Sequence, residues 1–584
     1  MQAMLYQLVT SLITKYHHRG RGGTEKVVEQ EAYLMRQKIA YFSMEIGLSN
    51  NIHTYNGGLG ILAGDTIKSS ADLKVPLVGV TLVSKKGHFK QELTSNGKQI
   101  EHPDPWEPSE HMQLLPTEVK VQIQKRDVAV KPWLYTVKSQ AGGVVSVYFL
   151  DTDIETNSPE DREITSFLYG GDERYRLKQE IVLGIGGARI LDALGLDIRK
   201  YHMNEGHSSL LALELLQKNR MNIEKVRKSC VFTTHTPIDA GHDKFSYDLV
   251  QEVLGELIPI DVLKKLGGQE RLNMTLLALN LSNYHNGVAK RHQDSSKAMF
   301  PEYEIRAITN GVHSYTWTCE SFRNLYNKYL PGWANEPDLL VRVDGIPDED
   351  VWRAHEEGKK VLIDYVNKVT NADMDYDALT LGFARRATGY KRTDLVFSDI
   401  EKLKKANNKG RIQLIFSGKA HPRDDSGRKL IGQIFGYAQD LKSEMKIVYI
   451  ANYDMDLAAK LVSGVDVWLN TPLRPLEASG TSGMKAAHNG VINFGVLDGW
   501  WIEGWIEGIT GWAIGPQPNE NVSMEEDRRR ELYDLYNKLE NIIIPTFYSS
   551  RGYWIKMMKN SIGKIAYYFN THRVVQRYAT EAYL

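Results

Sequence analysis

Residues 465–497 read VDVWLNTPLRPLEASGTSGMKAAHNGVINFGVL, two short apolar runs separated by a glycine-rich turn and a helix-forming segment. Continuous apolar runs of this length are typical of strands buried on both faces of a parallel sheet. The segment between them is long enough to cross from one parallel strand to the next. The stretch therefore predicts a β–α–β unit. Its glycine-rich turn leads into Lys485, so the turn either only packs or also binds an anion.

The same alternation extends upstream to about residue 375. Three further predicted strands, ALTLGFA (378–384), RIQLIFSG (411–418) and KIVYIAN (446–452), alternate with amphipathic segments. One of these segments is TDLVFSDIEKLKK, a predicted helix for which Thr393 is the candidate N-cap. Short apolar strands that alternate with amphipathic helices indicate a parallel, doubly wound sheet.

The N-terminal half alternates less regularly. KIAYFSMEIG, VPLVGVTLV and CVFTTHT are strand-like, and residues 101–165 form a β-rich excursion. A chain of 584 residues is too long for one hydrophobic core. A second α/β domain is therefore expected, with its boundary near residues 311–375.

The composition argues against several classes of protein. Lys plus Arg and Asp plus Glu both number 72, so the net charge does not indicate a nucleic-acid or anionic-membrane partner. The two cysteines, Cys230 and Cys319, exclude a disulfide framework and favour a reducing compartment, with the cytoplasm as the default. The N-terminal MQAMLYQLVTSLITKYHHRGRGG is expected to form an amphipathic helix and a loose linker. No segment is apolar enough to span a bilayer.

A first glycine-rich turn, YNGGLGILAGD at residues 55–65, lies between a predicted strand and a predicted helix. It could bind a dinucleotide, but that fingerprint requires an acidic residue after the next strand, which here ends in SKKG. A tight turn without a ligand is equally compatible with the sequence. A third interpretation is that Gly57 and Gly58 allow the backbone to approach a bound sugar or phosphate.

A basic loop, ARRATGYKRT at residues 384–393, follows a predicted strand of the C-terminal sheet. It brings together Arg385, Arg386, Lys391 and Arg392, which would repel one another unless something negative lies there. Open α/β sheets bind ligands outside the carboxyl ends of their strands, where this loop is expected. A solvated basic loop is the simpler alternative.

The second glycine-rich turn, EASGTSGMK at residues 477–485, offers backbone N–H groups and hydroxyls to an anion. If that anion belongs to a phosphate-bearing aldehyde, Lys485 can condense with it, and pyridoxal phosphate is the obvious candidate. A structural turn fits this motif equally well. The histidines in HTPIDAGHD and HMNEGH do not have zinc spacing, and no GxSxG motif occurs, so no metal site and no serine hydrolase is predicted.

In chain order, YNGGLG, TTHT, ITNGV, RRATGYKR, NYD and EASGTSGMK together resemble the α-glucan (glycogen, starch and maltodextrin) phosphorylases. The resemblance runs from about residue 40 to about residue 505 and favours the short microbial members. It implies two Rossmann-like domains that face each other across a cleft, the B-type glycosyltransferase architecture. The expected domains are residues 1–312, which bind glucan, and residues 313–584, which carry pyridoxal phosphate. It leaves open that the C-terminal helices pack back on the first domain.

The resemblance also implies a role for each site residue. The implied catalytic residues are Lys485, Arg386, Lys391 and His235. Lys485 would carry pyridoxal phosphate as a Schiff base, and the groups around the cofactor would be Gly480, Thr481, Ser482, Arg385 and Tyr453. The implied substrate-binding residues are Asn310, Glu477, Ser479, Gly57, Gly58 and Leu59.

The implied reaction is the reversible phosphorolysis of α-1,4-glucan to α-glucose 1-phosphate, with retention of configuration. The partners would be glucan, orthophosphate and glucose 1-phosphate, and a homodimer is one expected assembly. One alternative is a nucleotide-sugar-dependent glucan synthase of the same architecture, which would not need Lys485 as an aldehyde carrier. Another is a catalytically silent glucan-binding protein. The chain departs from the family at Thr388 and Gly389, often a histidine and an acidic residue, and at Asp454, commonly an arginine.

Overall fold

The computed structural model describes residues 38–520 and 522–584. The predicted N-terminal amphipathic helix and its linker lie outside the described residues. The fold is mixed α/β, with two large sheets formed by different halves of the chain. Within the described ranges, no helix combines the length and apolar character needed to cross a membrane.

The first large sheet lies in the N-terminal half. The strands of this half are β1 Lys38–Ser43, β2 Leu77–Leu82, β3 Lys90–Leu93, β4 Gln99–His102, β5 Gln113–Leu114, β6 Val119–Ile123, β7 Arg126–Lys138, β8 Val144–Asp151, β9 Ile198–Asn204, β10 Cys230–Thr233, β11 Lys244–Ser246, β12 Arg271–Asn273, β13 Tyr284–Gly287 and β14 Arg306–Ala307. Ten of them form the sheet, in the order β14-β13-β10-β9-β1-β2-β8-β7-β5 with β6 beside β7. The pairings from β14 to β8 are parallel, whereas β7 pairs antiparallel with β8, β5 and β6. The antiparallel edge lies within the predicted β-rich excursion.

The second large sheet lies in the C-terminal half. Its strands are β15 Leu379–Ala384, β16 Ile412–Ser417, β17 Lys446–Ile450, β18 Val467–Asn470, β19 Ile492–Val496 and β20 Gly511–Ile514. Their order is β17-β16-β15-β18-β19-β20, and every pairing is parallel, which confirms the predicted parallel sheet. The strand order reverses between β15 and β18, so the loops that follow these two strands are neighbours at one edge of the sheet.

Helices connect the strands in both halves. In the N-terminal half they are Gly58–Asp72, Pro159–Arg162, Glu173–Ile181, Gly187–Ala193, Leu210–Lys218, Ile223–Ser229, Tyr247–Val253, Ile260–Gly267, Met274–Asn280 and Lys290–Met299. The helices after residue 312 are Ser314–Trp317, Glu320–Tyr329, Asp348–Thr370, Ile400–Asn407, Asp425–Asp440, Met455–Gly464, Ser482–Ala487, Trp501–Gly504, Met524–Lys538, Ile544–Ser549, Arg551–Asn560 and Thr571–Tyr578.

The helix predicted from Thr393 onward starts later. The α-helix begins at Ile400, and the carboxylate of Asp399 accepts a hydrogen bond from the Lys402 backbone N–H, so Asp399 is the N-cap. Thr393 is therefore not the cap. The backbone of Arg392 is left-handed, with φ of 49°, which turns the chain before a helix can start.

The end of the chain contacts the N-terminal half. Tyr583 places its hydroxyl 2.6 Å from Nδ1 of His202 on β9. Asp72, which ends the helix after the first glycine-rich turn, lies 2.7 Å from Nε2 of His313 and 2.9 Å from Nε2 of His572. These contacts fix that helix against the segment between the two sheets and against the last helix of the chain.

Substitution of Gly64 tests how tightly the helix Gly58–Asp72 packs against the backbone at Gly47. A Cβ at Gly64 would lie 1.8 Å from the carbonyl oxygen of Gly47. We expect Gly64→Ala to lower the free energy of unfolding by about 2 kcal/mol, because the two backbones must separate. Gly58→Ala, in the same helix, is the matched control, since no described heavy atom lies within 4 Å of a Cβ there. Urea denaturation measures both variants, and equal stability would show that the Gly64 contact is not tight.

Candidate active site

The loops after β15 and β18 form the base of the candidate site. They meet because β15 and β18 are paired neighbours. Glu477 joins the two loops through a single oxygen, Oε2, which accepts hydrogen bonds from Arg385 Nη2 at 2.8 Å and from Lys391 Nζ at 2.6 Å. The topology thus places cations and a carboxylate at the carboxyl edge of the parallel sheet.

The cluster of Arg385, Lys391 and Glu477 is almost fully buried, with side-chain exposures of 12%, 8% and 7%. Burial would raise the pKa of the Glu477 carboxyl, but the charges of Arg385 and Lys391 outweigh it and lower that pKa to about 2. Burial and the charge of Arg385 lower the pKa of Lys391 to about 7, against the opposing effect of Glu477. Glu477 is therefore ionised at neutral pH and is held between two cationic groups.

Of the four cations in the basic loop, one more has a carboxylate partner. Arg392 forms a bidentate pair with Glu531, at 2.6 and 2.7 Å, and donates to the backbone oxygens of Thr471 and Pro472. It thereby joins the loops after β15 and β18 to the helix Met524–Lys538. Arg392 therefore has a structural role. The four cations that are adjacent in the sequence do not share one function in the structure.

Arg386 is the remaining cation of the loop. It is exposed, and it donates no hydrogen bond or ion pair to any residue that the structure describes. Its charge acts on the N-terminal half: it opposes the burial that raises the pKa of Glu45 and adds to the burial that lowers the pKa of His88 to about 4. Arg386 is thus a guanidinium with free donors that faces the other half of the protein.

Lys485 lies on the short helix Ser482–Ala487 and is 7% exposed. Its Nζ is 3.6 Å from the centre of the Trp317 ring. Burial lowers the pKa of Lys485 to about 8, with Asp65 opposing this effect and Lys68 adding to it. The amine is therefore unprotonated more often near neutral pH than that of an exposed lysine, and condensation with an aldehyde requires the unprotonated form. It does not hydrogen bond to the Glu477 cluster within the described chain.

The second glycine-rich turn is hydrogen bonded to the residues that follow β19. Gly480 has φ of +76°, a left-handed conformation that glycine tolerates. The carbonyl oxygen of Ser479 accepts from Trp500 N–H at 2.9 Å, and Asp498 accepts from the Glu477 backbone N–H at 2.9 Å. Burial raises the pKa of Asp498 to about 6. Sequence reasoning did not single out Asp498, although it directly follows a predicted strand.

Thr481 and Ser482 have different surroundings. The Thr481 side chain makes no capping hydrogen bond at the start of its helix. The Ser482 hydroxyl accepts from the Trp468 indole N–H at 3.0 Å, so it is partly engaged by the chain itself. Tyr453 is half-buried near the charge of Arg385, which opposes the burial that raises the pKa of Tyr453.

A cavity of about 210 Å³ separates the two halves beside Tyr453. Its lining comes from both halves: Asn50, His53, Tyr55, Asn56, His88, Phe89, Lys90, Asp104, Lys419, Asn452, Tyr453 and Asp454. Asp454 caps the helix Met455–Gly464 through Leu457 N–H at 2.8 Å and accepts from Asn50 at 3.2 Å. The departure from the family at this position therefore serves as a helix cap and as a contact between the halves.

The first glycine-rich turn faces the site from the N-terminal half. Gly57 and Gly58 border open space, because no described heavy atom lies within 4 Å of a Cβ at either residue, and Leu59 is half-buried. Glu45, which sequence reasoning missed, anchors the turn by accepting from Asn56 N–H at 2.6 Å and Gly57 N–H at 3.1 Å. The sequence feature that points to Glu45 is its position just after β1, directly before Ile46 and Gly47.

His235 and Asn310 follow β10 and β14 of the first sheet, which are separated by β13. His235 Nε2 is 2.6 Å from Asn204 Oδ1, and its backbone N–H donates to Glu205 at 2.8 Å. Burial lowers the pKa of His235 to about 4, with Glu205 opposing, so the ring is neutral at pH 7. Asn310 is buried, and its backbone oxygen accepts from Arg573 at 3.1 Å. Sequence reasoning missed Glu205, which has φ of +73°.

The family model and the similar proteins found by comparison all point to one protein family. Residues 46–177 and 261–511 match the family model described as carbohydrate phosphorylase. The chain is 41% identical to a maltodextrin phosphorylase of Thermococcus litoralis, over 94% of this chain and 70% of the relative. It is 38% identical to a glycogen phosphorylase of Aquifex aeolicus, over 94% of this chain and 86% of the relative. A glycogen phosphorylase of Mycobacterium tuberculosis is 35% identical, over 93% and 70%.

Replacement of Glu477 tests the buried ion cluster. We expect Glu477→Gln to lower the free energy of unfolding by about 3 kcal/mol, because Arg385 and Lys391 lose their anionic partner while they stay buried. Added sulfate should recover part of this loss by binding between the two cations. Glu526→Gln removes a carboxylate that pairs with exposed Arg529 and Arg530 and should leave stability nearly unchanged. A stable Glu477→Gln variant that ignores sulfate would contradict the electrostatic account.

Proposed function

The chain belongs to the carbohydrate phosphorylase family, and we propose that it catalyses the reversible phosphorolysis of α-1,4-glucan to α-glucose 1-phosphate with retention. It is a glycosyltransferase of the α-glucan phosphorylase type. The observation that carries the proposal is the buried, partly unprotonated Lys485 beside a cationic sheet edge that faces the open first glycine-rich turn. A glucan-binding protein without phosphate chemistry has no use for that combination.

We propose that the two sheets belong to two Rossmann-like domains, residues 1–312 and 313–584, that face each other across a cleft. In each sheet the strand order reverses beside the first strand of that half, β1 or β15. Ligands of open α/β sheets bind at such reversals. The contacts of Tyr583 and His572 with the N-terminal half support the return of the C-terminal helices to the first domain.

The residues present fit pyridoxal phosphate. Lys485 would attach the aldehyde, since its amine is buried and its pKa is lowered. The phosphate would be held by Gly480, Thr481, Ser482 and Arg385, with Tyr453 nearby, where backbone N–H groups, an uncommitted hydroxyl and a cation occur together. The helix Ser482–Ala487 has only six residues, so side-chain charge must supply most of the attraction. Bound pyridoxal phosphate supplies a phosphate with a second pKa of about 6, suited to proton exchange with orthophosphate near neutral pH.

Arg386 and Lys391 would bind orthophosphate. Arg386 has free N–H donors on a planar guanidinium, which can bind two phosphate oxygens at once. Lys391, which is bonded to Glu477, adds positive charge to the same loop. Orthophosphate donates a proton to the glycosidic oxygen, the bond from that oxygen to C1 breaks, and a phosphate oxygen joins C1 on the same face. Held at the site of bond cleavage, the phosphate both delivers the proton and captures the sugar, so configuration is retained.

The carboxylate of Glu477 is better suited to bind a sugar hydroxyl than to attack C1. Retaining glycosidases use two carboxylates about 5 Å apart, one of them as the nucleophile. Glu477 is already committed to two cations, which also lets a phosphate dianion approach without strong repulsion. Ser479, Asn310, neutral His235 and the turn at Gly57, Gly58 and Leu59 would complete the contacts to the glucosyl unit.

The proposed partners are α-1,4-glucan and phosphate, which the names of the relatives support. A cytoplasmic location is proposed because Cys230 and Cys319 are both free thiols in the structure. A homodimer stays a prediction from the resemblance.

The lysine assignment is tested by Lys485→Ala. The variant should be colourless and inactive, and added pyridoxal phosphate should not restore full activity, because the covalent anchor is missing. Borohydride reduction of the wild type followed by peptide mapping should place the label on Lys485. Lys402→Ala, at an exposed lysine in the first turn of the helix Ile400–Asn407, should keep colour and activity. Activity with a nucleotide sugar and no lysine-bound chromophore would favour the glucan synthase alternative.

The phosphate assignment is tested by Arg386→Ala. We expect a loss of about 3 kcal/mol of transition-state stabilisation, roughly a hundredfold lower kcat/KM, on the scale of removing one preorganised charge donor. KM for orthophosphate should rise in steady-state phosphorolysis assays. Arg411→Ala, whose guanidinium pairs with Asp375 at the opposite edge of the sheet, is the control. Near-normal phosphorolysis by Arg386→Ala would overturn the assignment.

A further inference from the structure

Asp65 is a buried carboxylate in the middle of the helix after the first glycine-rich turn, with 1% of its surface exposed. Its Oδ2 atom accepts a hydrogen bond from the indole Nε1 of Trp317 at 2.8 Å. Its Oδ1 atom is buried and accepts no hydrogen bond from any residue in the described ranges. A buried carboxylate oxygen without a donor is costly, so this atom needs a partner that the described chain does not supply.

The Asp65 carboxylate and the Lys485 amine, which is proposed to attach the cofactor, both contact Trp317. Trp317 connects the two groups: its indole N–H donates to Asp65, and the Lys485 ammonium lies 3.6 Å from the centre of its ring. Burial lowers the pKa of Lys485, and the negative charge of Asp65 is the main effect that opposes it. Within the described chain, Asp65 and Lys485 form no ion pair with each other, and Trp317 lies in contact with both.

Lys68 is the other charged group that faces Asp65 from the same helix. Burial lowers the pKa of Lys68, and the charges of Asp65 and Asp72 oppose that effect. Its amine donates to the Thr316 hydroxyl at 3.4 Å and not to Asp65. Lys68 therefore does not supply a donor to Oδ1 of Asp65, and this oxygen remains without a partner in the described ranges.

We propose that Oδ1 of Asp65 accepts a hydrogen bond from the protonated ring nitrogen of the pyridoxal phosphate held by Lys485. This inference rests on the proposed function. In pyridoxal the aldehyde carbon and the ring nitrogen lie on opposite sides of the ring, so its pocket needs an amine at one edge and an acceptor at the other. An acidic partner for this nitrogen recurs in pyridoxal sites. The nitrogen takes its proton from water on binding, and the carboxylate retains it through a charge-assisted hydrogen bond.

The direct test uses the wild-type holoenzyme, so that it does not depend on the folding of a variant. Apoprotein is loaded with pyridoxal phosphate labelled with ¹⁵N in the ring, and the nitrogen chemical shift is followed with pH. The proposal predicts the shift of a protonated nitrogen at neutral pH and well above it. A shift typical of an unprotonated pyridine nitrogen would overturn the proposal.

Two variants separate a role toward the cofactor from a role in packing. Asp65→Asn keeps an acceptor for Trp317 but loses the charge, so the nitrogen should lose its proton, the chromophore band should shift, and the cofactor Kd should rise about tenfold or more. Trp317→Phe removes the indole donor and keeps an aromatic face against Lys485. It should keep the wild-type nitrogen shift and absorption band.

The outcomes are distinguishable from failure of the proposed function. If Asp65→Asn binds the cofactor with wild-type spectrum and Kd, Asp65 only packs and the inference is wrong. If Trp317→Phe reproduces the spectral change of Asp65→Asn, Asp65 acts by positioning Trp317, which also overturns it. If wild-type protein forms no lysine-bound chromophore at all, the proposed function falls together with the inference.

Discussion

The structure depends on one buried ion cluster at the reversal of strand order in the second sheet. Glu477 lies between Arg385 and Lys391, at 2.8 and 2.6 Å, and this contact closes the loops after β15 and β18 onto each other. A lone carboxylate or a lone cation would be very unfavourable at this depth, whereas the three charges together are tolerated. With Arg386 beside it, the cationic groups at this edge of the sheet outnumber the carboxylates Glu477 and Asp498. That excess charge is what an incoming phosphate would meet.

The side of the site that faces the cationic edge is the first glycine-rich turn and the helix after it. Hydrogen bonds to the backbone, and not cations, hold this side in place. Glu45 fixes the first glycine-rich turn through two backbone N–H groups, so the open space at Gly57 and Gly58 lies at the end of a rigid helix. The far end of this helix is held by the contacts of Asp72 with His313 and His572. The wall that faces the cationic edge is therefore positioned at both ends before a ligand arrives. Pre-positioning of this kind lowers the ordering cost of binding.

Sequence patterns predicted the parallel sheet, the glycine-rich turn at residues 477–485 and the position of the basic loop at the carboxyl ends of the strands, because these follow from local periodicity and from the geometry of open sheets. They did not predict which charges pair. Lys391 and Glu477 are 86 positions apart, and Arg392 and Glu531 are 139 apart, so no local spacing connects them. The same holds for Asp65 and Trp317, which are 252 positions apart. The shift of the N-cap from Thr393 to Asp399 has the same origin, since Arg392 is held by distant partners.

The central claim is that the positive edge of the second sheet serves phosphate transfer to a sugar. Its most direct measurement is an incubation of the purified protein with maltodextrins of graded length and ³²P-orthophosphate, with products separated by chromatography. The account predicts label in α-glucose 1-phosphate, with chains shortened by one unit at a time and no requirement for a nucleotide sugar. Label that stays in orthophosphate, while a nucleotide sugar lengthens the chains, would contradict it.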